Sequence, residues 1–493
     1  MALKGSGLTL RHLVAALASA ESGWPATALP EVEIRSAVVD SRLAGPGSLF
    51  VALPGEHRDG HDFVADAFTA GAVVAITQKA PPQGTCDCLY LDGRPVDEAR
   101  QQWTLPLCLI VPDSLTALQQ AAAYWRRQHE LRVVGITGSV GKTTSKEVIA
   151  AVLAKGYRLL KSEGNYNNEI GLPLTLLHLT PEHQHVVLEM GMYDVGEIAN
   201  LAEIALPQVG VVTNVGPVHL ERLGTIERIA EAKTELPRAL PKAAEGGVAI
   251  LNADDWRVMA MASQTQASIF TYGLSPLADL QATHIESEGL EGIRLQFHYR
   301  DETVHARVPL LGRHSVHTAL RGAAVGLVEG LAWAEIMAGL RDQSAQLRLV
   351  AVPGPYGSTI LDDTYNASPA SCIAALNLLD ELGGLQEDTR KIAVLGDMYE
   401  LGSYEEEGHR IVGRRAHSVA DLLVTVGELG RMIGEEALAT GMAADRVYLL
   451  DTKAQAIELL QSAIKAGDQV LIKGSRSLEM EEIVAALQKG EVP

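Results

Sequence analysis

The feature that most constrains this chain is the run VVGITGSVGKTTSKEV, from Val133 to Val148. A continuous apolar strand enters a glycine turn, and the turn opens at Lys142-Thr143 into a helix. Strand, tight turn and helix in that order belong to an α/β layer, and the turn is suited to holding phosphate. Gly138 and Gly141 let backbone N–H groups approach phosphate oxygens, and the helix N-terminus adds roughly half a positive charge. Ser139, Val140 and Thr144 complete the cradle, Lys142 can reach terminal phosphates, and Thr143 can ligate magnesium. The usual pattern wants a glycine where this chain has Ile136, so the loop is a variant. A chance strand–turn–helix is the bland alternative, and the correct flanks on both sides weigh against it.

Around this loop the chain of 493 residues divides into three stretches. Residues 1–112 hold short strands, SAVVDSR, GSLFVAL, GAVVAIT and LCLIVP, between loop segments such as KAPPQGT and DGRPVDE. A helix is expected over Asp113–Gln128. Residues 113–345 alternate apolar strands with helices (RVVGITG, HVVLEMG, VGVVTNVG, GGVAILNADD), the pattern of a parallel sheet covered on both faces. Residues 346–493 repeat it on a smaller scale in STILDDTY, KIAVLGDM, DLLVTVG, RVYLLDT and DQVLIKGS. The fold class is therefore α/β with three domains. A small N-terminal α/β domain leads, a doubly wound parallel-sheet domain built on the phosphate loop follows, and a Rossmann-like domain ends the chain. Hinges are expected near Pro112 and Gln346.

Apolar residues make up 47% and aromatic ones only 4%, so the cores must be aliphatic. A net charge of -20 without a basic cluster argues against nucleic-acid binding. It also means that a phosphorylated ligand needs local donors or metal ions. No run of about 18 apolar residues is present, so no membrane span is expected. Near the N-terminus, Leu10, Leu13, Val14 and Leu17 fall at helical spacing, which favours an amphipathic helix over an export signal. Cys86, Cys88, Cys108 and Cys372 lack zinc-knuckle spacing, and unpaired thiols in a reducing cytoplasm are the plain reading.

Three further residues invite chemistry. Glu189 ends the strand of HVVLEMG and His219 follows that of VGVVTNVG, so both belong at the carboxyl edge of the sheet, beside the loop. There they could hold a second magnesium, although each alone is more often a cap or a satisfied polar group. In TIERIAEAKTELPRAL, Lys233 falls on the apolar stripe of Ile226, Ile229, Leu236 and Leu240. Desolvation there favours the neutral amine. Snorkelling to water is the commoner fate on periodicity alone, and a paired or chemically modified amine is the alternative.

TGSVGKTT, GNYNNEIGLP, LEMG, NVGPVHLE and EAKTEL, in that order, resemble the Mur ligases of peptidoglycan synthesis. VVDSRLAGPGSLFVALPGEHRDGHDFVADAFTAGA is similar to the nucleotide-sugar domain of the MurE and MurF branches, and LDDTYNASPAS, LGDMYELG and KGSRSLEMEEIV to MurF. The DNPR signature of many MurE enzymes is absent. The resemblance implies an ATP-dependent ligase joining D-alanyl-D-alanine to UDP-N-acetylmuramoyl-tripeptide through an acyl phosphate, in the cytoplasm and as a monomer. It implies a UDP-sugar site on 1–112, ATP on 113–345 and the dipeptide on 346–493. By the same resemblance Thr143 and Glu189 hold one magnesium and His219 a second. Lys233 matches the lysine that many of these enzymes carry as a carbamate, a further metal ligand. Asp363 matches the residue that binds the ATP ribose, and Arg348 one that reaches the terminal phosphate. Ser41 and Arg42 belong to the uridine nucleotide pocket. Asn165, Asn167 and Asn168 contact substrate or order the loop, though ordinary turn chemistry is their alternative. Lys473, Ser475 and Arg476 are expected contacts without assigned roles.

The pattern departs before the third domain. Where the family reads GRHNIANALAA, this chain reads GRHSVHTALRG. His314 is kept, but Ser315 and Thr318 replace asparagines, and a serine hydroxyl cannot offer adenine an amide's paired donor and acceptor. QLRLV also replaces the more usual context of the arginine. Two rivals stand beside the main reading: a MurE-like ligase adding one amino acid, and a catalytically silent Mur-like binding protein, the latter supported only by Ser315 and Thr318.

Overall fold

The computed structural model describes residues 7–18, 29–55, 58–91, 102–218, 220–342, 349–383 and 389–489. Three sheets organise them. In the first, β1 (Ser36–Val38), β2 (Ser48–Val51), β3 (Val74–Thr77), β4 (Asp87–Tyr90) and β5 (Leu107–Ile110) run parallel in the order β1-β2-β3-β5-β4. β4 has no counterpart in the sequence reading: its short segment DCLY lies between loop signals. The four cysteines are free thiols, with the Sγ atoms of Cys86 and Cys108 3.2 Å apart.

The second sheet has nine strands. They are β6 (Arg132–Thr137), β7 (Leu159–Lys161), β8 (His185–Glu189), β9 (Val209–Val212), β10 (Val248–Asn252), β11 (Ser268–Gly273), β12 (Leu280–Ser287), β13 (Ile293–Tyr299) and β14 (Glu302–Val308). β8 and β9 are buried along their whole length and β6 from Val133 onward, as strands covered on both faces must be. The order is β14-β13-β12-β11-β10-β9-β6-β8-β7. From β6 the chain builds outward to the β8 side and then to the β9 side. The crevice beyond the carboxyl end of β6 is thus a topological switch point, where open α/β sheets hold ligands. The expected parallel sheet carries an addition, because β12–β13 and β13–β14 pair antiparallel. Their alternating burial marks a half-solvated ladder, and Arg300 (φ 53°) turns the β13–β14 hairpin.

The third sheet comprises β15 (Val350–Pro353), β16 (Thr359–Asp362), β17 (Lys391–Gly396), β18 (Leu422–Val426), β19 (Val447–Leu450) and β20 (Gln469–Lys473). Its order is β15-β16-β20-β17-β18-β19, parallel except for the edge strand β15, which pairs antiparallel with β16. β20 returns between β16 and β17, so the segments after β16, β17 and β20 converge at one edge.

The helix predicted over Asp113–Gln128 spans Ser114–Arg127, with Asp113 accepting from Thr116 N at its start. It carries the first sheet onto the second. One apolar cluster runs from Leu49 and Leu109 through Leu118 and Trp125 to Val133, Leu188 and Leu236. The amphipathic helix Leu10–Leu17 buries Leu10, Leu13 and Val14 in that cluster. The third sheet has separate cores on its two faces. It meets the second domain where Gly402 lies against the backbone of Leu220 and Glu221. Among the described residues no helix is long and apolar enough to cross a membrane.

Candidate functional site

The phosphate loop leaves β6 at the switch point, and its glycines are required there. Gly138 has φ 145°, and a Cβ on it would stand 1.8 Å from Thr213 Oγ1. Gly141 is left-handed (φ 84°) at the start of the helix Lys142–Leu153. Neighbouring residues fix the turn between them. Asn214, just past β9, accepts from Val140 N (3.0 Å) and donates to Val140 O (2.9 Å). Thr213 Oγ1 also donates to Val140 O, and Ser139 Oγ donates to Gly216 O. Lys142 folds back over the turn, its Nζ donating to Gly138 O at 2.9 Å. Thr144 follows half-buried in the first helical turn.

Glu189, at the end of β8, faces this loop with only 3% of its surface exposed. Its carboxylate accepts from Thr143 Oγ1 (2.6 Å) on one oxygen and from Asn167 Nδ2 (2.8 Å) on the other. A hydroxyl and a carboxylate side by side at a phosphate loop are hard oxygen donors of the kind magnesium takes together with substrate phosphates. Among the described residues no three His, Cys, Asp or Glu side chains cluster as a metal site, so phosphate oxygens and water would complete such a shell. Of the other asparagines, Asn168 Oδ1 caps the helix Gly171–Leu176 by accepting from Gly171 N at 2.9 Å. Asn165 is exposed, and its carbonyl accepts from Asn167 N.

Lys233 sits on the helix Ile226–Ala239, whose Leu236 packs over Gly135 of β6 and Gly210 of β9. It is 1% exposed, so the snorkelling alternative is overturned. Burial first, and then the nearby Lys142 charge, push its pKa well below the ordinary lysine value. His219 and Arg348 lie outside the described residues, as does the expected hinge at Gln346.

At the edge of the third sheet, Lys473 Nζ pairs with Asp363 Oδ2 at 2.7 Å and donates to Asn366 O at 2.7 Å. Lys473 is thus a buried support for Asp363. Ser475 is buried too, its Oγ accepting from Tyr399 N. Arg476 is exposed, paired with Glu481 and near the Tyr365 ring. His314 lies in the turn after β14. Desolvation lowers its imidazole pKa, against the pull of Asp363 across the domain junction. Ser315 Oγ donates to Leu311 O (2.6 Å), so its hydroxyl proton is engaged within its own turn. In the first domain Ser41 and Arg42 form a short turn after β1. Arg42 is exposed and bound to Asp40, whose carboxyl it holds down at about 2. A cavity of about 600 Å³ at the opposite, amino-terminal edge of the third sheet, lined by Arg390, Asp421 and Tyr448 among others, touches none of these residues.

The sequence reading missed three contributors. Asn214 stands within the quoted motif NVGPVHLE but was not singled out. Lys146, 0% exposed, donates to Gly164 O (3.2 Å) and so ties the loop helix to the asparagine segment. Arg321, a lone cation in a run of small apolar residues, reaches Ser145 Oγ at 2.6 Å. An isolated charge among apolar residues was the available signal for Arg321, as it was for Lys233, whereas Lys146 stands beside Glu147 and carried no such signal.

Three family profiles match the chain in sequence order. They are described as Mur ligase family, catalytic domain (residues 33–86), Mur ligase middle domain (136–326), and Mur ligase, glutamate ligase domain (347–476). A UDP-N-acetylmuramoyl-tripeptide–D-alanyl-D-alanine ligase of Bacillus subtilis (strain 168) is 36% identical over 457 residues, 92% of this chain and 93% of that one. The chain belongs to the Mur ligase family. The ligase of the same name from Escherichia coli (strain K12) is also 36% identical, over 93% of this Mur ligase and 95% of its own length. Among solved structures, MurF from Acinetobacter baumannii superposes with a TM-score of 0.81 at 32% identity, covering 99% of this chain and 100% of that one. MurF ligase from Thermotoga maritima in complex with ADP gives 0.72 at 28% identity, covering 92% and 97%. The three-domain fold of this Mur ligase is therefore that of MurF.

Proposed function

We infer that this Mur ligase joins D-alanyl-D-alanine to UDP-N-acetylmuramoyl-tripeptide, with ATP converted to ADP and phosphate, in the synthesis of peptidoglycan precursors. One observation carries the reading: the likeness to the tripeptide ligases runs through 92% of the chain, so all three sheets are matched and not the loop alone. A carboxylate is a poor electrophile, because amine attack would have to expel oxide. Transfer of the γ-phosphoryl group to the tripeptide carboxylate gives an acyl phosphate. The dipeptide amine then attacks its carbonyl carbon, a C–N bond forms, a proton is lost, and the C–O bond breaks to release phosphate. Carboxylate and triphosphate must meet in an acidic protein, so cations have to offset their repulsion.

Within this reading Lys142 and the N–H groups of residues 138–144 hold the triphosphate. Thr143 and Glu189 hold one magnesium, and His219 with Lys233 a second. Magnesium, when bound, neutralises the phosphate charge and polarises the transferring group. Lys233 is suited to its part through carbamylation. As a neutral amine it adds to carbon dioxide, a nitrogen–carbon bond forms, one proton leaves, and a carboxylate-like ligand stands where an ammonium would be out of place. Asp363, fixed by Lys473, takes the ribose hydroxyls; Arg348 reaches the terminal phosphate; His314 and Ser315 border the adenine. Ser41 and Arg42 contact the uridine nucleotide. Asn165, Asn167 and Asn168 order the loop toward substrate, while Ser475 and Arg476 border the dipeptide site. Residues 1–112, 113–345 and 346–493 are the corresponding working domains, closing on one another as a cytoplasmic monomer. The silent-protein rival has only Ser315 and Thr318 in its favour, and the MurE-like rival conflicts with the dipeptide-ligase segments.

The test is phosphate release with ATP, magnesium and UDP-muramoyl-tripeptide, supplied with either D-alanyl-D-alanine or a free diamino acid. Release that needs the dipeptide, with a product heavier by that dipeptide, is expected. Release with the diamino acid alone would move the chain to the MurE branch, and none under any condition would favour the silent protein. A fully active Lys233→Ala variant indifferent to bicarbonate would exclude the carbamate.

A further inference from the structure

Arg321 is 4% exposed, yet every partner it has is neutral. Its Nε donates to Ser145 Oγ (2.6 Å), Nη2 to Thr318 Oγ1 (2.9 Å) and Nη1 to Tyr272 OH (3.4 Å). Among the described residues its guanidinium forms no ion pair. A buried charge served only by dipoles is costly unless a counter-charge arrives.

The place where one would arrive is adjacent. Ser145 Oγ donates to Gly141 O at 2.5 Å, so the guanidinium is one hydroxyl away from the backbone of the phosphate turn. Nη2 also lies only 3.2 Å from where a Cβ on Gly141 would stand. Arg321 lies on the helix Val316–Val328 and so joins that helix to the turn, with Thr318 one turn earlier accepting from its Nη2. Thr318, one of the two departures from GRHNIANALAA, therefore has a task here: its hydroxyl supplies an oxygen that orients the arginine.

We propose that Arg321 is a positioning residue for the nucleotide's terminal phosphates, a fixed positive charge under the turn at Gly141 that favours di- and triphosphates over nucleotides lacking those groups. The proposal rests on the reading that this loop holds ATP. Arg321 acts through Ser145 and the loop backbone and does not touch the nucleotide. In a chain whose net charge is -20, it sets a positive charge beside a turn where an anion must be held.

The test is calorimetric binding of ADP and of AMP, each with magnesium, to the full chain and to R321Q and R321K. The glutamine keeps a donor and loses the charge; the lysine keeps the charge and loses the fork. We expect R321Q to bind ADP about tenfold more weakly, with AMP within about twofold, and R321K to hold ADP within about threefold. Equal losses for ADP and AMP in R321Q, or ADP binding within twofold of the unaltered chain, would overturn the proposal. Should R321Q not fold, R321K decides: a tenfold loss of ADP at an unchanged melting temperature overturns the role of charge, and retention supports it. An unaltered chain that binds neither nucleotide sinks the nucleotide reading itself, a result distinct from all of these.

Discussion

Lys233 and Lys473 are both lysines with almost no exposed surface, 1% and 2%, in different domains, and they have been handled in opposite ways. Lys473 ends a strand at the edge of the third sheet, with Asp363 Oδ2 at 2.7 Å and a backbone carbonyl at the same distance. Its charge is matched, and its effect is to hold Asp363 in place. Lys233 lies on a helix face over the second sheet, where no carboxylate among the described residues pairs with it, and burial drives it toward the neutral amine. Burial alone therefore does not say what a lysine is for. The company of an anion makes it structural, and the lack of one leaves a nucleophile.

The largest effect should follow from removing the unmatched amine. Lys233→Ala is expected to lower ligase turnover by roughly 10²–10³-fold, the scale of losing one electrostatic stabiliser of the transition state. Its melting temperature should hold or rise, because an uncompensated buried polar group has gone. Turnover against temperature-matched unfolding curves reads both. A strong loss of stability with turnover per folded molecule unchanged would put Lys233 in the same class as Lys473.

Lys473→Met should do the reverse. It strands a largely buried carboxylate, and breaking such a pair costs roughly 3–5 kcal/mol. Denaturant titration should show a large fall in midpoint, much of it restored in the Lys473→Met, Asp363→Asn double variant because the orphaned charge is removed. If the double variant is as unstable as the single, the contact with Asn366 O or the packing of the lysine stem matters more than the ion pair.

This difference was only half visible in the sequence. The stripe Ile226, Ile229, Lys233, Leu236 lies within one helix, so periodicity placed Lys233 on a buried face but could not choose between snorkelling and a reactive amine. Lys473 pairs with a residue 110 positions away, and no local pattern carries such a partner. The same limit hid Arg321 and Ser145, 176 apart, and the Thr143–Glu189 contact, 46 apart. What was legible was local: the glycine turn, the continuous apolar runs within β6, β8 and β9, and the connecting helix Ser114–Arg127. Short edge elements were lost because three or four residues give too little pattern, as with β4, β7 and β15. HARVP reads as a strand and is the end of β14, but its half-solvated partners β12 and β13 were passed over because alternation reads weakly beside continuous apolar runs.

A pH series sharpens the contrast at smaller amplitude. The folded chain holds Lys233 with a pKa well below 10.5, so between that depressed value and 10.5 the unfolded chain binds a proton that the folded chain lacks. Stability contributed by this site therefore rises with pH through the window, by at most about 1.4 kcal/mol per unit. Below the folded pKa the penalty of burying the ammonium is full. Lys233→Met lacks the term, so its advantage over the unaltered chain should be greatest at the acid side and fade toward pH 10.5. Bicarbonate-free buffer is needed, since a carbamate would change the titrating group. A stability difference flat across that range would mean that the lysine is not depressed by burial.

Lys146 supplies the intermediate case. It is 0% exposed, lies 3.1 Å from Glu147 Oε1, and donates to Gly164 O. Glu147 has a second cation in Lys161, so removing Lys146 does not strand the carboxylate. Gly164 is exposed, and water can take up its carbonyl. Lys146→Met should therefore cost only about 1 kcal/mol, the net worth of an ordinary hydrogen bond, although the lysine is as buried as Lys473. The same denaturant titration decides the matter. A cost equal to that of Lys473→Met would mean that depth of burial governs these sites, and the distinction between matched and unmatched lysines would fail. A small cost, together with a raised KM for the substrate that meets the asparagine segment, would mark Lys146 as a tether of that segment whose charge the fold can spare.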